Sequence, residues 1–538
     1  MRLVYSAFQG ERPILDARLL PENAAQTAEN VYLRHGTLQP EQDTASQSVT
    51  TVSDPTTLYR YPHGNNGDGF WLSWSGDPVH VVPSPLADDD HERLYWTGDG
   101  VPRMAAIDHL TSGTAPYPGA SYELGIPAPD SAPSVSAPAD RVAEGEWPDT
   151  ALETAYVVTL VSGYGEEGPP SDPSGTITRW DMVSGAPDGG EVEVSLPGIV
   201  SGNHDLVTQR LYRVESGGIY QFVADLDAAA TSYTDAVTSD SLGAALPSVD
   251  WDAPDPRLVG LTALPGGILA GFFDNTLCFC EAYRPHAWPV GYQLAFPYHI
   301  VAIASVANGL VVVTDGHPYM VTGSSPEAMA PTELEVPLPC VSAASLVDMG
   351  DYALYASPDG LVAVGGREAR LVTREIMSRD QWRALDPSTI HAYRYDERYL
   401  AFYDGGSFAF SPEDGIEFFT IEADAGYYDL ADDTLYLVQG GSVTAWGQGS
   451  DLTYIWRSRI EEVVPGTSFT CAKVIAADYP VTLRLYADGN TVIDREVDSH
   501  DLFRLPAGYA FARDWEVEVE GTNEVNSVQI ASSPQELV

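Results

Sequence analysis

Cys278 and Cys280, the CxC pair within "TLCFCEAY", are the residues most suited to soft-metal or redox chemistry in this chain. Their i, i+2 spacing on an extended strand points both thiols to one face, which is poor geometry for a mutual disulfide. A CxC pair can ligate a metal, but the remaining cysteines, Cys340 and Cys471, do not form a second pair at zinc spacing. Small buried hydrophobes in a reducing compartment are the expectation. The acidic run "DDDHE" (88–92) offers hard oxygen ligands, yet it lacks the glycine and terminal glutamate of a calcium loop, so a solvated acidic loop is expected.

Catalytic signatures are absent from the sequence. It holds no GxxxxGK[ST], no HExxH and no GxSxG, and no GxGxxG that follows a strand and opens a helix. "SPDGLVAV" (357–364) and "SPEDGIEF" (411–418) partly resemble the Ser-x-Asp-x-Gly boxes of sialidase-type propellers, which are structural turns. Glycoside hydrolysis needs two convergent carboxylates, and a chain with 77 acids offers many nominal pairs without singling one out. The expectation is therefore a protein that is not an enzyme and needs no cofactor and no metal. "EAYRPHAWP" (281–289) sets an Arg, a His and a Trp between prolines just after a strand. Arg284 and Trp288 are candidate contact residues, because Arg and Trp favour interfaces. Trp288 packed as a loop anchor, with Arg284 paired to an acid, is the structural alternative.

The elements that position these residues are β-strands. Five tight Asp/Gly/Asn or Gly-Gly turns, near Asp274, Asp315, Asp359, Asp404 and Gln439, each separate two alternating or β-branched runs. The tips recur every 35–45 residues, a period that suits propeller blades rather than a sandwich. Two more hairpins are expected at 69–84 and 92–104, supplying strands near the N-terminus so that the ring closes between the two ends. Between them "GIPAPDSAPSVSAPAD" (125–140) reads as a linker. The closely spaced strands after it suggest an inserted immunoglobulin-like sandwich. "AYVVTLVSGYGEEGPPS" resembles a fibronectin type III strand and its following loop, placed early here although it normally lies late. Five segments follow: an N-terminal arm over 1–40 with a short helix, first propeller strands over 41–124, the immunoglobulin-like insertion over 125–255, propeller hairpins over 256–454, and a C-terminal β-domain over 455–538. The helix is expected at Ala24–Glu29, capped by Asn23 and fenced by Pro21 and Pro40. Hydrophobic content of 44% supports a large packed core. No run of about 18 apolar residues occurs, and the N-terminus lacks an apolar signal-peptide core.

Charge is the extreme feature: 77 acidic against 27 basic residues gives a formal net charge of −50, and Lys473 is the sole lysine. Such a surface repels nucleic acid and does not adhere to anionic membranes. A saline habitat, simple solubility and a surface that must not stick to DNA all produce this composition, and composition alone favours the first two.

Several stretches occur together in virion proteins of tailed phages: "RPILDARLLPENAAQTAENVYLRHGTLQP", "LTALPGGILAGFFDNTLCFCEAYRPHAWP", "LVVVTDGHPYMVTGSSPEAM", "LYASPDGLVAVGG", "TLRLYADG" and "LFRLPAG". The order of parts resembles the tail nozzle family of short-tailed phages, also called tail tubular protein B. That resemblance, over about half the chain, implies an all-β subunit with a β-propeller-like platform, an inserted immunoglobulin/fibronectin III-like sandwich and a C-terminal β-domain. It further implies a hexameric ring of this chain in the virion tail, made in the host cytoplasm. Its implied partners are the tail adaptor and tail fibres or spikes, with genomic DNA passing through the lumen and no stable membrane binding. On this reading Arg12, Leu15 and Leu19 of the arm, with Arg284 and Trp288, are the expected assembly contacts. A tail-associated propeller that binds or degrades host-surface glycans is the alternative, and a siphophage-type tail tip component with similar modules is a third.

Overall fold

The computed structural model describes residues 1–62, 69–87, 89–200, 202–412, 415–464 and 466–537. The chain is all-β, built mostly of small antiparallel sheets, and divides into two compact units. The first comprises Met1–Gly76, Val301–Val321 and Pro331–Val538, and the second Asp77–Ile300 with Thr322–Ala330. Among the described residues no helix is long and apolar enough to cross a membrane.

The hairpin repeats form four-stranded meanders of the blade type. In the second unit these are Leu94–Gly98 with its neighbours His80–Pro83, Gly100–Ala105 and Tyr122–Glu123, and Val259–Leu264 through Leu294–Ala295. In the first unit Val347–Asp348, Ala353–Ser357, Gly360–Gly365 and Glu368–Leu371 make another, and Ala302, Ala304, Val306, Val311, Val313 and Met320 of the preceding strands share its core. All five expected tips are turns between paired strands. At Gln439–Ser442 both central residues, Gly440 and Gly441, have positive φ (54° and 78°), the geometry that matches strand twist and that glycine adopts without strain.

The expected hairpin at 69–84 is not one. Phe70–Trp74 pairs backward with Thr57–Tyr61, whereas His80–Pro83 pairs forward with Leu94–Gly98. "SGDP" between them is a connection from one sheet to the next, so the turn signal was correct and its partners were not.

The N-terminal arm departs most from expectation. Ala25–Glu29 is a strand and not a helix. It runs antiparallel to Tyr454–Ser458 and bridges in parallel to Gly415–Phe419, joining a repeat meander to the C-terminal domain in one ten-stranded sheet. Helix propensity over five or six residues is worth too little to resist two strand partners and the burial of Ala25 and Ala28. Nor is the arm detached. Arg2–Tyr5 pairs with Val525–Ala531, and Tyr5, Phe8, Val31, Leu33 and Leu38 lie in the core of the C-terminal domain. Ala45–Ser46 then supplies the fourth strand of the sheet Ala425–Asp429, Thr434–Gln439 and Ser442–Ala445.

Within the second unit, residues 134–235 form seven strands in two sheets, three and four strands, around a core of Tyr156, Val158, Val192, Val194, Leu211 and Val223. The strand carrying the fibronectin-like signature, Leu152–Ser162, is central in the four-stranded sheet, between Ile177–Arg179 and Leu206–Glu215.

Candidate assembly surface

Residues 11–20 form a loop of tight turns clamped at both ends. Glu11 bridges to Ala25 and Ile416, its backbone N–H donating to the Ile416 carbonyl at 2.8 Å, and its carboxylate accepts the Ala28 N–H at 2.7 Å. Burial pushes the Glu11 carboxyl up to about 7, against the lowering effect of that N–H and with the added repulsion of Glu29. At the other end Leu20 is buried, and its carbonyl accepts from Arg459. Between the clamps Leu15 N–H donates to Arg12 O and Leu19 N–H to Asp16 O. The loop places Ile14 (41% exposed), Leu15 (37%) and Leu19 (71%) at the surface. Arg12 is half-buried, with its Nε enclosed and lacking a hydrogen-bond partner.

Two further apolar side chains stand at this end of the C-terminal domain, and neither was singled out from the sequence. Val464 is 75% and Phe511 87% exposed. Their only sequence signal is an aromatic and a β-branched residue within irregular stretches that lack strand alternation.

The other two expected contacts divide. Trp288 is 3% exposed, packs with Cys278, Cys280 and Leu269 in a core of the second unit, and donates its indole N–H to Pro285 O at 2.8 Å. It is an internal anchor and offers no side-chain surface to a neighbour, which corrects its assignment as a contact. Arg284 is exposed and lies over the Trp251 ring at 4.3 Å. The structure does not bring Arg284 and Trp288 into one surface.

Beneath that loop is a buried polar cluster. Arg93 donates to Asp89 at 2.9 Å and to Glu166 at 2.8 Å, and His286 Nδ1 stands 3.9 Å from Glu166. Burial drives the Glu166 carboxyl up to about 7 despite Arg93. Burial likewise drives the His286 imidazole down to about 3, with Arg284 and Arg93 adding to the effect. Glu166 belongs to the "EEGPPS" loop of the sandwich and Arg93 to the neighbouring meander, so the cluster is a seam within the second unit.

The remaining chemical candidates are structural. Cys278 and Cys280 are buried, face the same core, and have thiols raised to about 12 by burial. Among the described residues no group of three or more His, Cys, Asp or Glu is placed to hold a metal ion. The 88–92 run and the 411–418 box include positions 88, 413 and 414, which lie outside the described residues. "SPDGLVAV" is a hairpin turn, with Ser357 donating to Gly360 O at 2.8 Å. A cavity of about 420 Å³ is lined by Asp43, Glu422, Asp424 and Gln439 among others, and Asp424 and Gln439 are engaged with Gly440 N–H and with the Thr44 and Thr444 hydroxyls. Finally, Tyr59, Trp71, Tyr427 and Tyr436 form a half-buried aromatic cluster, with Trp71–Tyr436 centroids 4.7 Å apart, beside Arg60, which holds Asp429 and Asp432 together.

No family model matches the chain, and no curated protein does. Solved structures give faint likenesses. The Neurospora crassa Pan2 WD40 domain is 7% identical, covering 49% of this chain and 84% of that one, with a TM-score of 0.25. A Bacteroides thetaiotaomicron protein of unknown function is 9% identical over 54% and 78%, TM-score 0.25. An exo-β-1,3-galactanase from Phanerochaete chrysosporium is 7% identical over 91% and 100%, TM-score 0.19. At such scores these likenesses carry no argument.

Proposed function

We propose that this chain is a non-enzymatic structural subunit of a phage tail, a nozzle-ring protein whose clamped 11–20 loop contributes an assembly surface. The observation that carries the reading is the placement of Ile14 and Leu15, both exposed between the two clamps. They are held outward by a segment whose flanking residues are buried in the subunit, so their exposure belongs to the folded state and does not come from a loose end. Rigid exposed apolar residues lower the entropic cost of association. The charge fits as well. A ring with an acidic lumen avoids the phosphate–arginine contacts, about 1–3 kcal/mol each, that would hold DNA in place.

Electron micrographs of the purified protein test this directly. Closed rings are expected, with Ile14→Ser/Leu15→Ser reducing ring formation while leaving the melting temperature within about 2 °C. Monomers at every concentration would overturn the ring. An arginine-rich lumen in an assembled ring would overturn the repulsive conduit.

The aromatic cluster around Trp71, with Asp429 and Asp432 converging on Arg60, favours a second reading: a tail protein that binds host-surface glycans there. Calorimetry with surface polysaccharide, comparing wild type with Trp71→Ala, decides it. A loss of binding in the variant supports a glycan site, and equal heats remove it.

A further inference from the structure

Three segments of the first unit run side by side at one edge of the C-terminal domain. Val463 N–H donates to Arg513 O and Gly466 N–H to Ala510 O, both at 2.8 Å, which lays Val463 and Gly466 against 510–513. Ile460 N–H donates to Ala17 O at 3.0 Å, and Arg18 reaches Asp514 at 2.6 Å and Glu462 at 3.6 Å, which ties 17–20 to both. Within each segment one residue turns inward and its neighbour outward. Leu20, Val463 and Ala512 are buried, whereas Leu19, Val464 and Phe511 are 71%, 75% and 87% exposed. The three exposed side chains therefore stand on adjacent segments at this edge, each beside a residue buried in the packing beneath. Large apolar groups concentrated in this way mark interaction sites.

The rim of that edge is acidic. Arg18 is already shared among Asp16, Glu462 and Asp514, and Arg459 between Glu22 and Glu461. Arg513 stands beside Asp488, which accepts its backbone N–H at 2.9 Å. Carboxylates outnumber arginines, and Glu22 and Glu462 point into solvent at 84% and 69% exposure. A second copy of this chain, with 77 acids and 27 bases, would bring like charge against that rim.

We propose that the face formed by Leu19, Val464 and Phe511 docks a different polypeptide, one that presents apolar anchors within a rim of lysine and arginine. The inference deepens the assembly reading and rests on it for the claim that this edge is used; it adds the chemistry of the partner. An apolar centre inside a charge-complementary rim is the anatomy of a specific interface, with the centre supplying affinity and the rim supplying partner choice.

The probe is a fluorescent amphipathic peptide of leucine and lysine, titrated into the full chain by anisotropy. Two control peptides replace every lysine by glutamate or every leucine by serine. The expected result is saturable binding of the leucine–lysine peptide, weakened at least about tenfold by Leu19→Ser/Val464→Ser/Phe511→Ser. The serine–lysine peptide should respond little to that triple variant, and the leucine–glutamate peptide should not bind. Hydrogen exchange should show protection over 17–20, 460–464 and 509–513 on binding. Should the triple variant fold poorly, Phe511→Ser alone is used, because an 87% exposed side chain contributes little to the core. Equal affinity of wild type and variant overturns the proposal, as does tight binding of the leucine–glutamate peptide. Concentration-dependent self-association of wild type that the variant abolishes also overturns it, since the occupant is then another copy. If micrographs show no rings while the peptide results hold, the ring reading fails and this docking site stands.

Discussion

Glu11 and Glu166 sit at two seams, one in each unit, and the seams are made differently. At Glu11 a chain segment is joined to the first unit through main-chain pairing: its carboxylate caps the Ala28 N–H, and strands on either side are in register with Tyr454–Ser458 and Val525–Ala531. At Glu166 a folded sandwich with its own core is joined to a neighbouring meander mostly by side chains, among them the Arg93 ion pair and Tyr164 against Tyr122, with a main-chain bond from Glu123 N–H to Asn203 O. The first join is part of a core. The second joins two cores. A seam of backbone and apolar packing cannot open without unfolding, while a seam of side chains can be weakened alone.

Deletion experiments should separate the two most sharply. Removing residues 1–29 takes Tyr5, Phe8, Ala25 and Ala28 out of the C-terminal core and removes a central strand of the ten-stranded sheet, so no cooperatively folding first unit is expected by calorimetry. Replacing 127–250 by a short linker should leave the first unit's thermal transition in place. Excised alone, 127–250 should give a sandwich with dispersed NMR signals. A folded product from the first deletion would show that the arm is only appended.

Point substitutions give the next largest effect. Glu166→Ala leaves Arg93 buried with only Asp89, and a loss of about 2–4 kcal/mol is expected in denaturant titration. Glu11→Ala leaves one buried N–H without its acceptor, a loss of about 1–3 kcal/mol. The reverse order would mean that the Arg93 pair is nearly neutral against its desolvation.

Acidity gives a finer test. Both carboxyls sit near 7 when folded, above the usual carboxylate range, so the native state binds more protons than the unfolded chain between about pH 4.5 and 7. Each therefore contributes stability that is present at low pH and lost as pH rises through that window. Other carboxyls, such as Asp89 and Asp181, are held low and act in the opposite sense in more acid solution. The measurement is thus a difference: relative to Glu11→Gln or Glu166→Gln, wild type should lose stability from pH 5 to 7.5. A flat difference would show that the carboxylates are already ionised at the seams. The smallest change is expected from Leu15→Ser, within about 0.5 kcal/mol for the isolated subunit, because its side chain serves no core.

What the sequence revealed follows the range of each signal. The hairpin tips were legible because Asp-Gly, Asp-Asn and Gly-Gly act within four residues. The sandwich was legible from strand spacing. Ala25–Glu29 was misread because its partners lie about 390 and 430 residues away (Glu29 with Phe418, Thr27 with Arg457), beyond any local pattern. Leu15 and Leu19 of the arm, expected as contacts, are exposed. Their companions Val464 and Phe511 were not expected, since only the fold brings those segments together. Trp288 shows the converse: of its two readings, contact and loop anchor, the fold makes the anchor, since its indole N–H finds a carbonyl three residues away and the ring goes inside.

The pairing of Arg2–Tyr5 with Val525–Ala531 also sets a timetable for synthesis. A ribosome adding ~5–20 residues per second needs about half a minute to two minutes to make 538 residues. Arg2–Tyr5 cannot find its partner until Val525–Ala531 has left the exit tunnel. Throughout that interval the leading segment waits with its apolar residues uncovered, exposed to chaperones and proteases. A transcript cut short therefore yields a chain that cannot close its first unit. Only chains made as far as Ala531 reach the closed state, so the fold itself measures out more than five hundred residues before a subunit is ready for use.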